Sequence, residues 1–202
     1  MLRLFSRRKP RKVFVVGLDC APPAVLFQTG AENSLGLKEQ LPNLSRLVDE
    51  GIYGPLSSSI PCITVPAWTS MLASKDPGVL GFYGFRNRAD YSYDRMSIAT
   101  ANAIHESRVW DVLDQVDKNS IVVGVPQTYP LKPLKGHMIS SFLTPSIERQ
   151  YTFPHELRYE IERVLDGRPY DLDVPQFRTE DKDHLLREIQ EMTEKRFAVI
   201  KY

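Results

Sequence analysis

The sequence predicts an α/β protein with a mainly parallel sheet flanked by helices. Three observations carry this. Residues 13–18 (VFVVGL) and 121–125 (IVVGV) are continuous apolar runs rich in β-branched side chains, the pattern of strands buried on both faces. Between and after them, apolar residues recur three and four apart, as in helices that pack by one face. Each run also ends where regular structure must stop, at Asp19 with Pro22-Pro23 beyond it and at Pro126.

The elements follow in order. Pro42 opens a helix with Leu44, Leu47 and Val48 on one face and Gly51 as its stop. Residues 54–59 read as a second short strand. Thr64-Val65-Pro66 leads into another helix, with Pro66 in its first turn and Trp68, Met71 and Leu72 sharing a face. The Gly- and aromatic-rich stretch 78–93 has no period and reads as ordered loop. Val109, Val112, Leu113 and Val116 predict a helix starting near Ser107. Residues 121–125 are a third strand and 137–143 a fourth. From Pro154, a stripe of Leu157, Ile161, Val164 and Leu165 predicts a helix ended by Gly167 and Pro169. A last helix from about Thr179 turns Leu185, Ile189 and Met192 inward, and Glu180 and Asp181 suit its N-terminus.

The chain has 202 residues, with 26 Lys plus Arg against 25 Asp plus Glu. This balance argues against a binder of nucleic-acid polymers. Residues 1–12 nevertheless hold six basic groups and no acid, which reads as a flexible basic arm before a domain spanning 13–202. Cys20 and Cys62 are too few for a disulfide framework. With no secretory signal and no membrane-length apolar run, a cytoplasmic protein with reduced thiols is the expectation.

Two residues stand out for chemistry. Asp19 follows an apolar strand, where open α/β sheets place their sites; it reads either as a metal or substrate contact or as a turn residue. Thr64, two residues before a helix-opening proline, reads either as a cap or as a hydroxyl beside an anion at the helix N-terminus. There is no Walker loop, GxGxxG, GxSxG or HExxH motif. Asp183-His184 falls in a charged helical stretch and reads as a solvated face.

Residues 13–19, Pro61-Cys62-Ile63-Thr64-Val65-Pro66-Ala67-Trp68-Thr69-Ser70-Met71 and Asp76-Pro77-Gly78-Val79-Leu80-Gly81 together resemble the type I phosphodiesterase/nucleotide pyrophosphatase family of the alkaline phosphatase superfamily. Val123-Gly124-Val125-Pro126-Gln127-Thr128-Tyr129-Pro130 resembles its prokaryotic branch. The resemblance implies an alkaline-phosphatase-like sheet and a hydrolase of phosphodiester or nucleotide pyrophosphate bonds. It implies two divalent metal ions, typically zinc, with Asp19 as a ligand and Thr64 as nucleophile and ligand. Asn87 is the nearest match to the asparagine that holds a phosphoryl oxygen. Trp68 replaces a more polar residue of nucleotide-cleaving members, which leaves the leaving group open.

The remaining ligands of the family, two Asp and three His, have no motif here, and the last helix has no stop signal. The expectation is therefore the N-terminal part of a catalytic domain, with half a site, little or no activity and weak metal affinity on its own, and an incomplete edge through which copies or partners associate. Two other readings stand beside it. One is a phosphomonoesterase or another hydrolase or mutase of the superfamily, with sulfatases disfavoured because Thr64-Val65-Pro66-Ala67-Trp68 has neither their Cys nor their Arg. The other is a degenerate domain that binds a partner without catalysis.

Overall fold

The computed structural model describes residues 12–26, 40–90 and 92–202. The chain divides into two compact units, Met1–Ser57 and Ser58–Tyr202. Of the expected basic arm, residues 1–11 lie outside the described residues.

In the first unit, residues 12–18 have no regular secondary structure and join no ladder among the described residues. Val13, Phe14, Val15 and Val16 are 65–85% exposed, so the expected buried strand is not formed. A β-branched run favours an extended backbone, but a strand also needs a hydrogen-bonding neighbour. The same holds for residues 54–59, which also join no ladder among the described residues. Helix α1 (Pro23–Leu26) follows the turn at Asp19 and Cys20. Helix α2 (Pro42–Glu50) starts at its proline and ends at Gly51, as expected. A Cβ at Gly51 would lie 2.7 Å from the Leu47 carbonyl oxygen, so glycine is needed there.

The second unit is α/β, with two small sheets. Helices α3 (Thr64–Ala73) and α4 (Pro77–Leu80) come first. The expected loop over 78–93 contains instead the end of α4 and strand β1 (Arg86–Arg88), which pairs antiparallel with β2 (Met96–Ile98). Both strands are largely exposed, so no alternation of apolar residues marks them. Helix α5 (Val109–Gln115) precedes β3 (Ser120–Val123), β4 (Gly136–Ile139) and β5 (Thr152–Phe153). Strand β3 is parallel to β4, and β4 is antiparallel to β5. The sheets are thus mixed, not mainly parallel. Helices α6 (Leu157–Val164) and α7 (Lys182–Lys201) close the unit.

Strand alternation divides the core. Val122 and Met138 pack with Trp110 and Leu134 on one face of the three-stranded sheet, against Leu72 of α3. Ile139, on the other face, packs with Tyr151, Ile161, Leu165, Tyr170 and Leu172, against Val123 and Val199. A third cluster joins Val65, Ala73, Leu80, Phe82, Ala99 and Ile104, linking α3 and α4 to the base of the β1–β2 hairpin. Gly136 sits where β4 starts beside β3; a Cβ there would stand 2.0 Å from the Ser120 carbonyl oxygen.

Several helices exist where expected but bury other faces. Helix α3 buries Val65, Pro66, Thr69 and Ala73, leaving Met71 exposed and Trp68 and Leu72 half-buried. Helix α5 buries Trp110 and exposes Val109 and Val112. Ile121 of β3 is 77% exposed, so that strand is not buried along its whole length. The last helix starts three residues later than expected, at Lys182, with the Asp181 carboxylate accepting from the His184 N–H. Its most buried residue is Lys195. No helix of the described residues is long and apolar enough to cross a membrane.

Candidate active site

Thr64 is the first residue of α3. The preceding Ile63 is extended (φ −120°, ψ 146°) and makes no side-chain cap. Its N–H donates to the Pro61 carbonyl at 3.0 Å, and its own carbonyl accepts from Ala67, also at 3.0 Å. Thr64 is therefore inside the helix, not the capping residue before it. Pro66, in the third helical position, lacks an N–H that would have had no intrahelical acceptor. The half-buried Thr64 side chain thus stands at the positive end of a ten-residue helix.

A buried polar network fixes α3. The single hydrogen of the Thr69 hydroxyl is shared between two acceptors, the Val65 carbonyl (2.9 Å) and Gln127 Oε1. Gln127 is fully buried, with φ 58° in the left-handed region, just beyond the exit of β3. Its amide nitrogen donates to the Ala99 carbonyl at 3.0 Å, and its carbonyl accepts from Arg108 Nη1 at 3.1 Å. Arg108 also holds Asp111 and lies over the Trp110 ring, 4.6 Å from its centre. Burial lowers the Arg108 pKa from the ordinary arginine value, opposed by Asp111. Sequence reading missed Thr69, Arg108 and Gln127 as site-shaping residues. The one available signal was a glutamine between two prolines at the end of an apolar strand.

Asn87 lies on β1 in the same unit as Thr64. Its Oδ1 accepts from the Tyr83 N–H at 2.9 Å and its Nδ2 donates to the Gly84 carbonyl at 3.0 Å. These bonds close the 83–87 turn and use one of its two amide hydrogens. Asp19 belongs to the first unit, exposed at a turn. His184 is exposed and faces Glu188 at 3.4 Å on α7, as a solvated face should.

The donor set does not by itself fit the two ions implied above. Among the described residues, no three His, Cys, Asp or Glu side chains stand together as a metal centre would require. Zinc usually takes at least three protein ligands, and Asp19 with Thr64 would supply two.

A family model described as Type I phosphodiesterase / nucleotide pyrophosphatase matches residues 13–199. No curated protein and no solved structure matches the chain. The match takes in Asp19, the Thr64 helix, the hairpin with Asn87 and the Gln127 segment, and the chain belongs to the type I phosphodiesterase/nucleotide pyrophosphatase family.

Proposed function

We propose that the chain carries the nucleophile half of a phosphoester hydrolase acting on phosphodiester or nucleotide pyrophosphate bonds. The observation that carries this is Thr64 as the first residue of α3, in a helix held by the Gln127 network. A phosphate ester placed there meets the positive helix end, and the Thr64 oxygen is the attacking group. Attack forms an O–P bond to Thr64 and breaks the bond to the leaving alcohol or phosphate. Water then cleaves the phosphothreonine. The second hydrogen of the Asn87 amide is this chain's proposed contact to a phosphoryl oxygen.

Two divalent ions, zinc by family expectation, would make a threonine alkoxide accessible near neutral pH. Asp19 and Thr64 would be contributed by residues 13–202 as part of a larger catalytic domain, and further donors are needed. We place the protein in the cytoplasm, where the free thiols of Cys20 and Cys62 stay reduced. The test is hydrolysis of bis-p-nitrophenyl phosphate, p-nitrophenyl phosphate and the sulfate ester with added zinc. The expected result is weak turnover, highest on the diester and lost in Thr64→Ala. Turnover that survives Thr64→Ala would overturn the assignment, and preference for the monoester would favour a phosphomonoesterase. The lack of a three-ligand cluster among the described residues favours a second reading, a partner-binding domain without catalysis, which predicts no zinc-dependent turnover at all.

A further inference from the structure

The side chain of Gln127 joins two elements that each carry a residue of the proposed site. Its Oε1 accepts from the Thr69 hydroxyl on α3, five residues beyond Thr64. Its Nε2 donates at 3.0 Å to the carbonyl of Ala99, the residue that follows β2. The Ala99 N–H donates in turn to the Phe85 carbonyl at 2.9 Å, a rung at the base of the β1–β2 hairpin, two residues from Asn87. A second bond, from the Ala101 N–H to the Tyr129 carbonyl at 2.8 Å, fastens the exit of the hairpin to the same turn.

The chemistry of this link is specific. Thr69 needs an acceptor and the Ala99 carbonyl needs a donor, and a carboxamide presents both on one carbon. A carboxylate would turn a second acceptor toward the Ala99 carbonyl, and an aliphatic side chain would bond neither. Gln127, Thr69 and Ala99 are 0%, 2% and 2% exposed, so water cannot replace either bond without opening the core. Gln127 itself has little freedom. Its φ of 58° lies in the left-handed region, and its carbonyl is held by the buried Arg108, which is paired with Asp111. Val65, Phe82 and Ala99 also pack α3 against the hairpin base, but apolar packing is non-directional. The two hydrogen bonds give the junction its direction.

We infer that Gln127 is a positioning residue for phosphoryl transfer, which sets the Thr64 hydroxyl and the second amide hydrogen of Asn87 on one phosphoryl group. This role rests on reading Thr64 as the attacking group and Asn87 as a phosphoryl contact. Both must aim at the same phosphorus, and a displacement of about 1 Å can cost on the order of a hundredfold in rate.

The experiment is a double-mutant cycle between Gln127 and Asn87, read on zinc-dependent hydrolysis of bis-p-nitrophenyl phosphate by the full chain. Gln127→Met should lower kcat about tenfold or more with KM nearly unchanged, because the lost alignment matters in the transition state. In an Asn87→Ala background the same change should cost less than about threefold, since no amide is left to align. Thr69→Val cuts the link from the α3 side; it should repeat the pattern, and it decides the matter if Gln127→Met fails to fold. Amide hydrogen exchange reads the link without turnover. In Gln127→Met the Ala99 N–H should exchange at least about tenfold faster while the amides of β4 keep their protection. A loss of kcat equal in both backgrounds, or unchanged exchange at Ala99, would overturn the positioning role even where Thr64→Ala abolishes turnover. Turnover that is absent from the parent protein, or that survives Thr64→Ala, would overturn the reading of Thr64 and the positioning role with it.

Discussion

The Thr69 hydroxyl donates to the side-chain oxygen of Gln127, joining the middle of α3 to the residue just past the exit of β3. Thr69 lies five residues beyond Thr64 on that helix. Whatever holds Thr69 therefore also sets where the start of α3 points.

Thr69→Val keeps the shape and removes the donor, leaving Gln127 Oε1 buried without it. The expected cost is about 1–3 kcal/mol, the penalty for orphaning a buried polar group. Gln127→Met combined with Thr69→Val should cost less than the two single changes added together, because the Oε1 that Thr69→Val alone strands is absent from the double variant. Chemical denaturation of the four variants checks this; simple additivity would mean the contact contributes nothing.

Gly136→Ala should be among the most damaging single substitutions in the chain. Gly136 has φ 132° and its added Cβ would meet the Ser120 backbone, not a side chain that could move aside. A loss of at least about 3 kcal/mol is expected, by strain and by opening of the β3–β4 pair. A thermal midpoint within a few degrees of the parent protein would contradict it.

Stability should fall on the alkaline side. Burial raises the Tyr151 and Tyr170 pKa values above the ordinary 10.0. Burial pulls Lys195 down, but hydrogen bonds and charges from Asp171 and Glu191 outweigh it and hold it above 10.5. For every group whose folded pKa exceeds its unfolded one, the contribution is complete below the unfolded value and vanishes as pH climbs through the folded one. The midpoint should therefore be insensitive to these three groups below about pH 10 and drop above it. Tyr170→Phe should blunt the drop; an unchanged alkaline profile would show that Tyr170 contributes nothing to it.

Asn87 separates a structural from a substrate role. Asn87→Asp keeps an acceptor for the Tyr83 N–H but loses the donor to Gly84, whereas Asn87→Ala loses both. Stability should fall in the order parent, Asp, Ala, by about 1 kcal/mol per lost bond. Turnover, if Asn87 also donates to a phosphoryl oxygen, should fall by a similar factor in both, because neither retains an amide hydrogen. Turnover that instead tracked stability would leave Asn87 as a turn residue alone.

What could be read from the sequence was local. Helices α2, α3, α6 and α7 and strand β3 were marked by periodicity, by Pro42 and Gly51, or by a β-branched run. The buried faces of α3 and α5 were less legible, because Thr69 is buried by a distant acceptor and Trp110 by Arg108 and the sheet. Residues 13–18 and 54–59 have strand composition but join no ladder among the described residues, since pairing is decided by neighbours far along the chain. The β1–β2 hairpin was missed for the opposite reason: Arg86-Asn87-Arg88 pairs well with Met96–Ile98 but buries almost nothing. Thr64 and Asn87 were legible as motif residues. Gln127 was not legible as a structural residue, because a fully buried glutamine is explained only by partners on three other segments.

The place of β4 between β3 and β5, with a packed cluster on each face, bears on how the chain opens. Its amide protons can reach solvent only when both clusters and both ladders give way together, so they should exchange at the rate of global unfolding. The amides of residues 12–18 and 54–59, outside every ladder of the described residues, should exchange within the earliest times sampled. Between these extremes, the order in which α3, the hairpin and α7 lose protection would reveal which parts of the second unit unfold as one and which fray alone.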